Sequence, residues 1–149
     1  RKIRFRNNTK NFSVRQNNST VVHLTGNVDG GILHRTKSGG VWGEWEWENP
    51  PMMPSAEYRT TERFEGKPVY TQLIYCGTAV AEGRITQYGE TLRVIRHIGT
   101  TPEGVSIPFG NPGSNYYLKA DASNSDITVY CGAGFAGKQV CVQIWYTRD

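Results

Sequence analysis

Hydrophobic and polar residues alternate most regularly in the middle of the chain. Two alternating runs, residues 58–64 and 68–75, are separated by Glu65-Gly66-Lys67. Two period-two runs joined by a short glycine-containing interruption predict a β-hairpin. Both faces of the second run carry bulky side chains, so this strand is predicted to be buried on both sides, inside a sandwich or against another subunit.

Shorter runs of the same kind predict the other strands, and no long stretch repeats apolar residues at the helical spacing. Residues 7–19, rich in Asn and Ser, are predicted to form a polar spacer. The pattern therefore predicts an all-β protein whose main part is an antiparallel, jelly-roll-like β-sandwich. The further strands are predicted at residues 3–6, 20–25, 32–36, 41–48, 91–98, 105–108, 116–120, 127–131 and 140–147.

A proline cluster predicts how the chain is divided. Pro50, Pro51 and Pro54 lie close together, and proline lacks the N–H that a central strand must donate. We therefore expect a small β neck module in residues 1–49, a linker in residues 50–54 and a β-sandwich head domain in residues 55–149.

The charge is unevenly distributed. The chain carries a formal net charge of +4, but six basic residues precede its first acid, Asp29, and residues 16–149 hold 11 basic and 13 acidic residues. A basic arm is one signature of nucleic-acid binding. Here Ile3, Phe5, Phe12 and Val14 alternate with the charges, which favours a strand, so we expect no nucleic-acid partner.

The cysteines and the apolar runs indicate the compartment in which the protein is made and its relation to membranes. Cys76, Cys131 and Cys141 lie in strand-like runs without CxxC spacing, and are predicted to be small buried side chains of a protein made in a reducing compartment. No apolar run approaches the roughly 20 residues of a membrane helix, so no membrane insertion is expected. The chain starts at Arg1 without a signal peptide, and we interpret it as the C-terminal piece of a longer protein.

The predicted strand at residues 41–48 is rich in tryptophan. Trp45 and Trp47 share one face, and Trp42 lies on the other with Glu44, Glu46 and Glu48, which predicts that the second face is wet. Large aromatic residues in strands usually pack in a core, and the alternative is a platform on which a sugar stacks.

The residues offer little catalytic chemistry. The three histidines, His23, His34 and His97, lie in separate strand candidates, and no nucleophile or phosphate-loop motif is present. Three glutamates on one strand face have the spacing of an acid pair, but nothing identifies a partner or a cleft. We expect a binding protein and not an enzyme, with no catalytic residue, no metal site and no cofactor.

The loops offer better binding chemistry. Proteins hold carbohydrates with aromatic faces and with amide or carboxylate groups, and a β scaffold commonly presents such groups on loops. Three loops supply these side chains. The candidate ligand-binding residues are Arg84, Gln87, Tyr88, Asn111, Asn115, Tyr116, Tyr117, Asp121, Asn124 and Asp126.

Three segments in order resemble a known family. Residues 57–64, EYRTTERF, followed by GKPVY at residues 66–70, resemble the "YxTxExxxGKPVY" segment that opens the C-terminal head of many bacteriophage tail fibres and receptor-binding proteins. Leu33-His34-Arg35-Thr36 with Gly40, Trp42 and Trp45 is similar to the "xYxRT…GxWxxW" module that often precedes such heads. Residues 142–149, VQIWYTRD, resemble the terminal "xIxYTK" strand, with Arg148 in place of the usual Lys.

The resemblance covers roughly residues 32–149 and implies a role. Heads of this kind are typically homotrimers on the virion tail fibre, made in the host bacterial cytoplasm, and they bind a host cell-surface receptor, a glycan or a protein. The receptor residues of the family vary, so none is transferred to this chain. The alternatives are a purely structural, trimerising or capping virion component, and an accessory carbohydrate-binding module of a depolymerase.

Overall fold

The computed structural model of the chain describes residues 5–7, 10–16, 21–28, 30–81, 83–111 and 113–148. Nearly all regular structure in this part is β, which confirms the all-β prediction. A 3-10 turn at Ala133–Phe135 is the one helical element in these ranges, and no helix there is long and apolar enough to cross a membrane. The strands are β1 Phe5–Asn7, β2 Lys10–Gln16, β3 Val21–Val28, β4 Gly31–Ser38, β5 Val41–Trp42, β6 Glu46–Asn49, β7 Glu57–Phe64, β8 Lys67–Thr78, β9 Arg84–Gln87, β10 Arg93–Thr100, β11 Ser106–Ile107, β12 Leu118–Ala122, β13 Asp126–Cys131 and β14 Gln139–Thr147.

Three predictions about the first fifty residues are wrong. The expected polar spacer contains β2, which pairs with β1 on one side and β3 on the other, so ladder hydrogen bonds override the weak strand preference of Asn and Ser. The expected strand at residues 41–48 is broken between β5 and β6, where the Gly43 N–H donates to the Thr36 carbonyl over 2.8 Å. Glu46 is also not on a wet face, because its half-buried carboxylate pairs with Arg59 and Arg63.

The strands form two sheets. The larger sheet runs in the order β1-β2-β3-β4-β6-β7-β8-β14-β10-β11, with β5 beside β4, and the smaller sheet runs β12-β13-β9. Neighbouring strands are antiparallel except β6 and β7, which pair in parallel through Trp47 and Thr60. The predicted linker crosses over at this junction, and Pro54 bridges to Leu73 of β8. The division into neck, linker and head stays a prediction.

The central hairpin forms as predicted. Glu65 and Gly66 join β7 to β8 with φ angles of +49° and +78°, the left-handed backbone that a tight hairpin turn requires. Burial on both sides of β8 holds for the first half of the strand only. On the face of β8 that points away from the smaller sheet, here called the outer face, Val69 and Thr71 are buried but Tyr75 is 52% exposed.

The main core lies between β8, β14 and β10 of the larger sheet and strands β12 and β13 of the smaller sheet. The C-terminal strand β14 occupies the centre of this layer, hydrogen-bonded to β8 and to β10. Val140, Val142, Ile144 and Tyr146 alternate toward the core and are almost fully enclosed. A strand enclosed between two neighbours and a second sheet contributes a large share of the buried apolar area.

The two ends of the head are joined by a cluster around Glu57. The Glu57 carboxylate accepts a hydrogen bond from the Tyr146 hydroxyl and another, 2.7 Å long, from Arg148 Nη2. The Arg148 guanidinium lies 5.3 Å from the centre of the Tyr70 ring, which stacks on Tyr146. Burial and the Glu57 charge raise the pKa of Tyr146. Two of the segments that resemble the tail-fibre family are thus in direct contact.

The cysteines are buried thiols, as predicted. Cys76, Cys131 and Cys141 are all free. Burial raises the pKa of Cys76 to about 11 and also raises the pKa of the other two thiols. Each thiol is therefore protonated at neutral pH and poorly reactive.

Truncating a buried side chain of β14 should destabilise the protein. Ile144 is fully buried, so Ile144→Ala is expected to lower the free energy of unfolding by about 2–5 kcal/mol. Ile85→Ala is the matched control, because Ile85 on the edge strand β9 is largely exposed and its truncation should cost well under about 1 kcal/mol. Urea denaturation followed by circular dichroism measures both. Equal losses would contradict the central position of β14.

Candidate functional site

The structure divides the ten candidate binding residues between two ends of the smaller sheet. Asn111, Asn115, Tyr116 and Tyr117 lie before β12, at one end, whereas Asp121, Asn124 and Asp126 lie around the turn that joins β12 to β13. β13 has six residues, which corresponds to roughly 17–20 Å. Arg84 and Gln87 lie along the edge strand β9. The candidates therefore do not form one site.

At the β12–β13 turn, structural contacts occupy most of the candidate side chains. Asn124 Oδ1 accepts a hydrogen bond from the Val94 N–H over 3.2 Å, and the Asp126 carboxylate accepts one from Ser123 Oγ over 2.7 Å. Asp121 pairs with Lys119. These groups shape the turn and its contact with β10.

Tyr88, also at this end, is directed inward. Its ring packs against the core, and its hydroxyl is buried without a hydrogen-bond partner among the described residues. Desolvation raises the pKa of this hydroxyl. A shallow surface depression of about 280 Å³ lies nearby, lined by Gln87, Gly89, Glu90, Thr91 and Ser125. None of these lining residues is aromatic, so the depression offers no ring for stacking.

The opposite end carries an aromatic cluster, here named the aromatic tip: Phe109, Asn111, Ser114, Asn115, Tyr116 and Phe135. Phe135 is buried, and the rings of Phe109 and Tyr116 meet it edge-on with centroid distances of 5.4 and 6.4 Å. Tyr116 is 67% exposed and Phe109 is 45% exposed. A buried ring thus supports two rings that are open to solvent, with two carboxamides and a hydroxyl close to them in the chain.

Backbone packing holds the loop of the aromatic tip in place. The Gly134 N–H donates to the Asn115 carbonyl and the Gly132 N–H donates to the Tyr117 carbonyl, both over 2.7 Å. Phe109 and Leu118 exchange a further pair of backbone hydrogen bonds of 2.9 and 3.0 Å. A side chain at position 132 would have its Cβ 2.2 Å from the Ser114 carbonyl oxygen, so only glycine allows this approach.

Sequence reasoning found only part of the aromatic tip. It selected Asn111, Asn115 and Tyr116 but not Phe109 from the same loop, nor Phe135 from the glycine-rich link. The available signal was the single phenylalanine inside that link, at residues 132–137. An isolated aromatic residue among glycines is an anchor for packing, and here it supports both exposed rings.

A second concave feature lies on the outer face of the larger sheet, near the predicted linker. It is a cleft of about 230 Å³ whose lining includes Trp145, Gln143, Glu62 and Met52. The Arg96 guanidinium lies 4.5 Å from the Trp145 ring centre and is paired with Glu62. One face of the indole ring is therefore already covered, which makes the cleft a poorer stacking site than the aromatic tip.

Substitution of a packing glycine should disorganise the aromatic tip. In Gly132→Ala the new Cβ meets carbonyl oxygens of Ser114 and Asn115, which are backbone atoms that cannot rotate away. We expect a loss of stability of about 1–3 kcal/mol and faster amide hydrogen exchange in residues 113–117.

The matched control is Gly43→Ala. Its Cβ would meet the Thr36 carbonyl oxygen at an ordinary 3.4 Å, so stability and exchange should stay close to the parent values. Unchanged exchange in Gly132→Ala would show that the loop is not held by this contact.

Comparison with known proteins gives three distant structural similarities. No protein-family model and no curated protein matches the chain. The N-truncated R2-type pyocin tail fibre is 9% identical over 93% of this chain and 82% of that one, with a TM-score of 0.34. C-terminal parts of the P. aeruginosa R2 and R1 pyocin fibres are 8% and 9% identical over 93% and 94% of this chain, and over 56% and 57% of theirs, with TM-scores of 0.30 and 0.26. TM-scores this low do not establish a shared fold.

Proposed function

We propose that this chain is the receptor-binding head of a bacteriophage tail fibre, and that its aromatic tip binds a glycan on the host cell surface. The observation that carries the proposal is the pair of exposed rings, Tyr116 and Phe109, supported by the buried ring of Phe135. The order of the three family-like segments along the chain supports the tail-fibre assignment. On this proposal the protein is a virion component.

The chemistry of the aromatic tip suits an uncharged sugar. Aromatic faces pack on the apolar C–H surface of a pyranose, and the carboxamides of Asn111 and Asn115 are able to donate to one hydroxyl and accept from another. None of the tip side chains carries a formal charge. The loop is held by backbone hydrogen bonds, so little ordering entropy is lost when a ligand binds. We propose binding without catalysis.

We further propose that the head is a homotrimer whose subunits meet on the outer face of the larger sheet. Tyr75 and Ile98 are 52% and 57% exposed on this face, on β8 and β10. Leu73 and Trp145 are half-buried beside them. An apolar sheet face of this kind favours contact with a second protein surface. Three copies of a weak glycan site on one particle would raise the avidity by orders of magnitude.

Removing the exposed ring should weaken glycan binding and leave the fold intact. Tyr116→Ala is expected to weaken binding to host cells by at least about tenfold, because each of several sites loses one aromatic stacking contact. Tyr116→Phe keeps the ring and should retain most of the affinity. Binding is measured with the labelled protein on whole bacteria and then on a glycan array.

Tyr130→Ala is the control for this experiment, since Tyr130 is an exposed tyrosine of the same small sheet but lies outside the aromatic tip. The melting temperature of each variant should stay within a few degrees of the parent. Full binding by Tyr116→Ala would remove the aromatic tip as the receptor site, and a parent head that binds no cells would favour the structural-cap alternative.

The subunit count is tested by light scattering on the purified chain. A homotrimer has three times the 16.7 kDa of one chain. Because Ile98 is placed in the proposed contact, Ile98→Asp should shift the mass toward the monomer, whereas Ile85→Asp on the exposed edge strand β9 should not. A monomeric parent would contradict the proposed trimer.

A further inference from the structure

An unusual cationic pair lies on the neck strands. The Arg35 guanidinium carbon is 4.6 Å from the Trp42 ring centre and 5.2 Å from the Trp45 ring centre. The Lys37 ammonium, two residues along β4 and thus on the same face, is 5.8 Å from the Trp42 ring centre. Trp42 and the neighbouring Val41 are exposed. Two cations therefore share one exposed aromatic surface.

Arg35 differs from the other arginines that lie over rings. Arg93, Arg96 and Arg148 each contact an aromatic ring and each pair with a glutamate: Glu65, Glu62 and Glu57 respectively. No carboxylate of the described residues lies within ion-pair distance of Arg35 or Lys37. The Nε of Arg35 is buried without a hydrogen-bond partner, and its Nη groups also have none in the described part of the chain.

The composition of the neck explains why this charge is not neutralised from inside. Residues 1–43 contain eight lysines and arginines and a single acid, Asp29. β3, which pairs with β4 next to Arg35, contains no acidic residue, and neither does β2 beyond it. Glu46, on β6, is already paired with Arg59 and Arg63. Among the described residues no carboxylate pairs with Arg35 or Lys37, which leaves both cations open to an external anion.

We propose that Arg35 and Lys37 form an oxyanion-binding site that holds a carboxylate or phosphate group of an anionic glycan. The guanidinium carbon lies over two indole rings, and the two Nη groups, unlike the buried Nε, remain available to match two oxygens of a carboxylate or phosphate. Lys37 adds a second positive charge. The site lies on the neck strands and does not involve the aromatic tip.

The test is a titration of the full chain with three probes, in which intrinsic tryptophan fluorescence and calorimetry measure binding. The probes are oligogalacturonate, which carries carboxylates, glycerol phosphate oligomers, which carry phosphates, and neutral dextran. We expect at least one charged probe to bind, to quench fluorescence and to weaken as NaCl is raised from about 50 to about 500 mM. Which charged probe binds more tightly distinguishes the carboxylate from the phosphate.

Matched variants locate the site. Arg35→Gln is expected to weaken binding of the charged probe by about tenfold or more, and Arg35→Lys by less, because lysine keeps the charge without the two-pronged geometry. Lys37→Gln should weaken binding several-fold. Arg93→Gln removes an arginine that also lies over a ring but is paired with Glu65, and it should leave the affinity unchanged.

Several results would overturn the proposal. These are the absence of binding by both charged probes, equal losses in Arg35→Gln and Arg93→Gln, and binding of dextran that depends on Arg35. Tighter, Arg35-dependent binding of single-stranded DNA or of anionic lipid vesicles than of either glycan would also overturn it. Tyr116→Ala should retain the charged-probe affinity, which separates this site from the proposed receptor site. If Arg35→Gln fails to fold, the charged-probe affinity of Lys37→Gln decides, and its circular dichroism spectrum shows that this variant is folded.

Discussion

The head depends on the placement of its last strand. β14 is hydrogen-bonded on both sides, to β8 and to β10, and one whole face of it is closed off by the smaller sheet. The chain must therefore be complete before the core exists, because β8 and β10 are not neighbours without β14. The contact of Tyr146 and Arg148 with Glu57 adds a polar tie between the end of the head and its beginning. Long-range pairing of this kind makes folding slow and the folded state cooperative.

The aromatic tip follows from the same placement. The segment that leads into β14 carries Gly132, Gly134 and Phe135, and these residues contact the loop before β12 through backbone hydrogen bonds and ring packing. The entry to the central strand thus also supports the two exposed rings. A loop fixed in this way presents Tyr116 and Phe109 on a rigid base, as a β scaffold commonly does for a binding loop.

The arginines of residues 55–149 and Arg35 on β4 differ in whether a carboxylate neutralises them. In residues 55–149, arginines lie over aromatic rings and are neutralised by glutamates of β7 and of the turn that follows it, as in the Arg96–Glu62 pair above Trp145. Such exposed pairs add little stability, but they leave no strong local charge. On β4, Arg35 keeps its ring contacts but has no ion pair with a carboxylate of the described residues. An arginine over an aromatic ring therefore gives a neutral surface around Trp145 and a cationic surface around Trp42.

The amino-acid sequence alone predicts the all-β class, the central hairpin with its Glu65-Gly66 turn, and the burial of the three cysteines. These features depend on alternation and turn chemistry between residues close in the chain. It failed where pairing outweighed local preference, as in β2, and where a strand broke, as after Trp42. It also selected Tyr88 as a surface residue, because the alternation of a short polar segment does not reveal which side chain turns inward. Tertiary contacts alone place Phe135 beneath Phe109 and Tyr116, and they alone show that Arg35 contacts two rings without pairing with a carboxylate of the described residues. Both features depend on residues that approach from separate strands and loops.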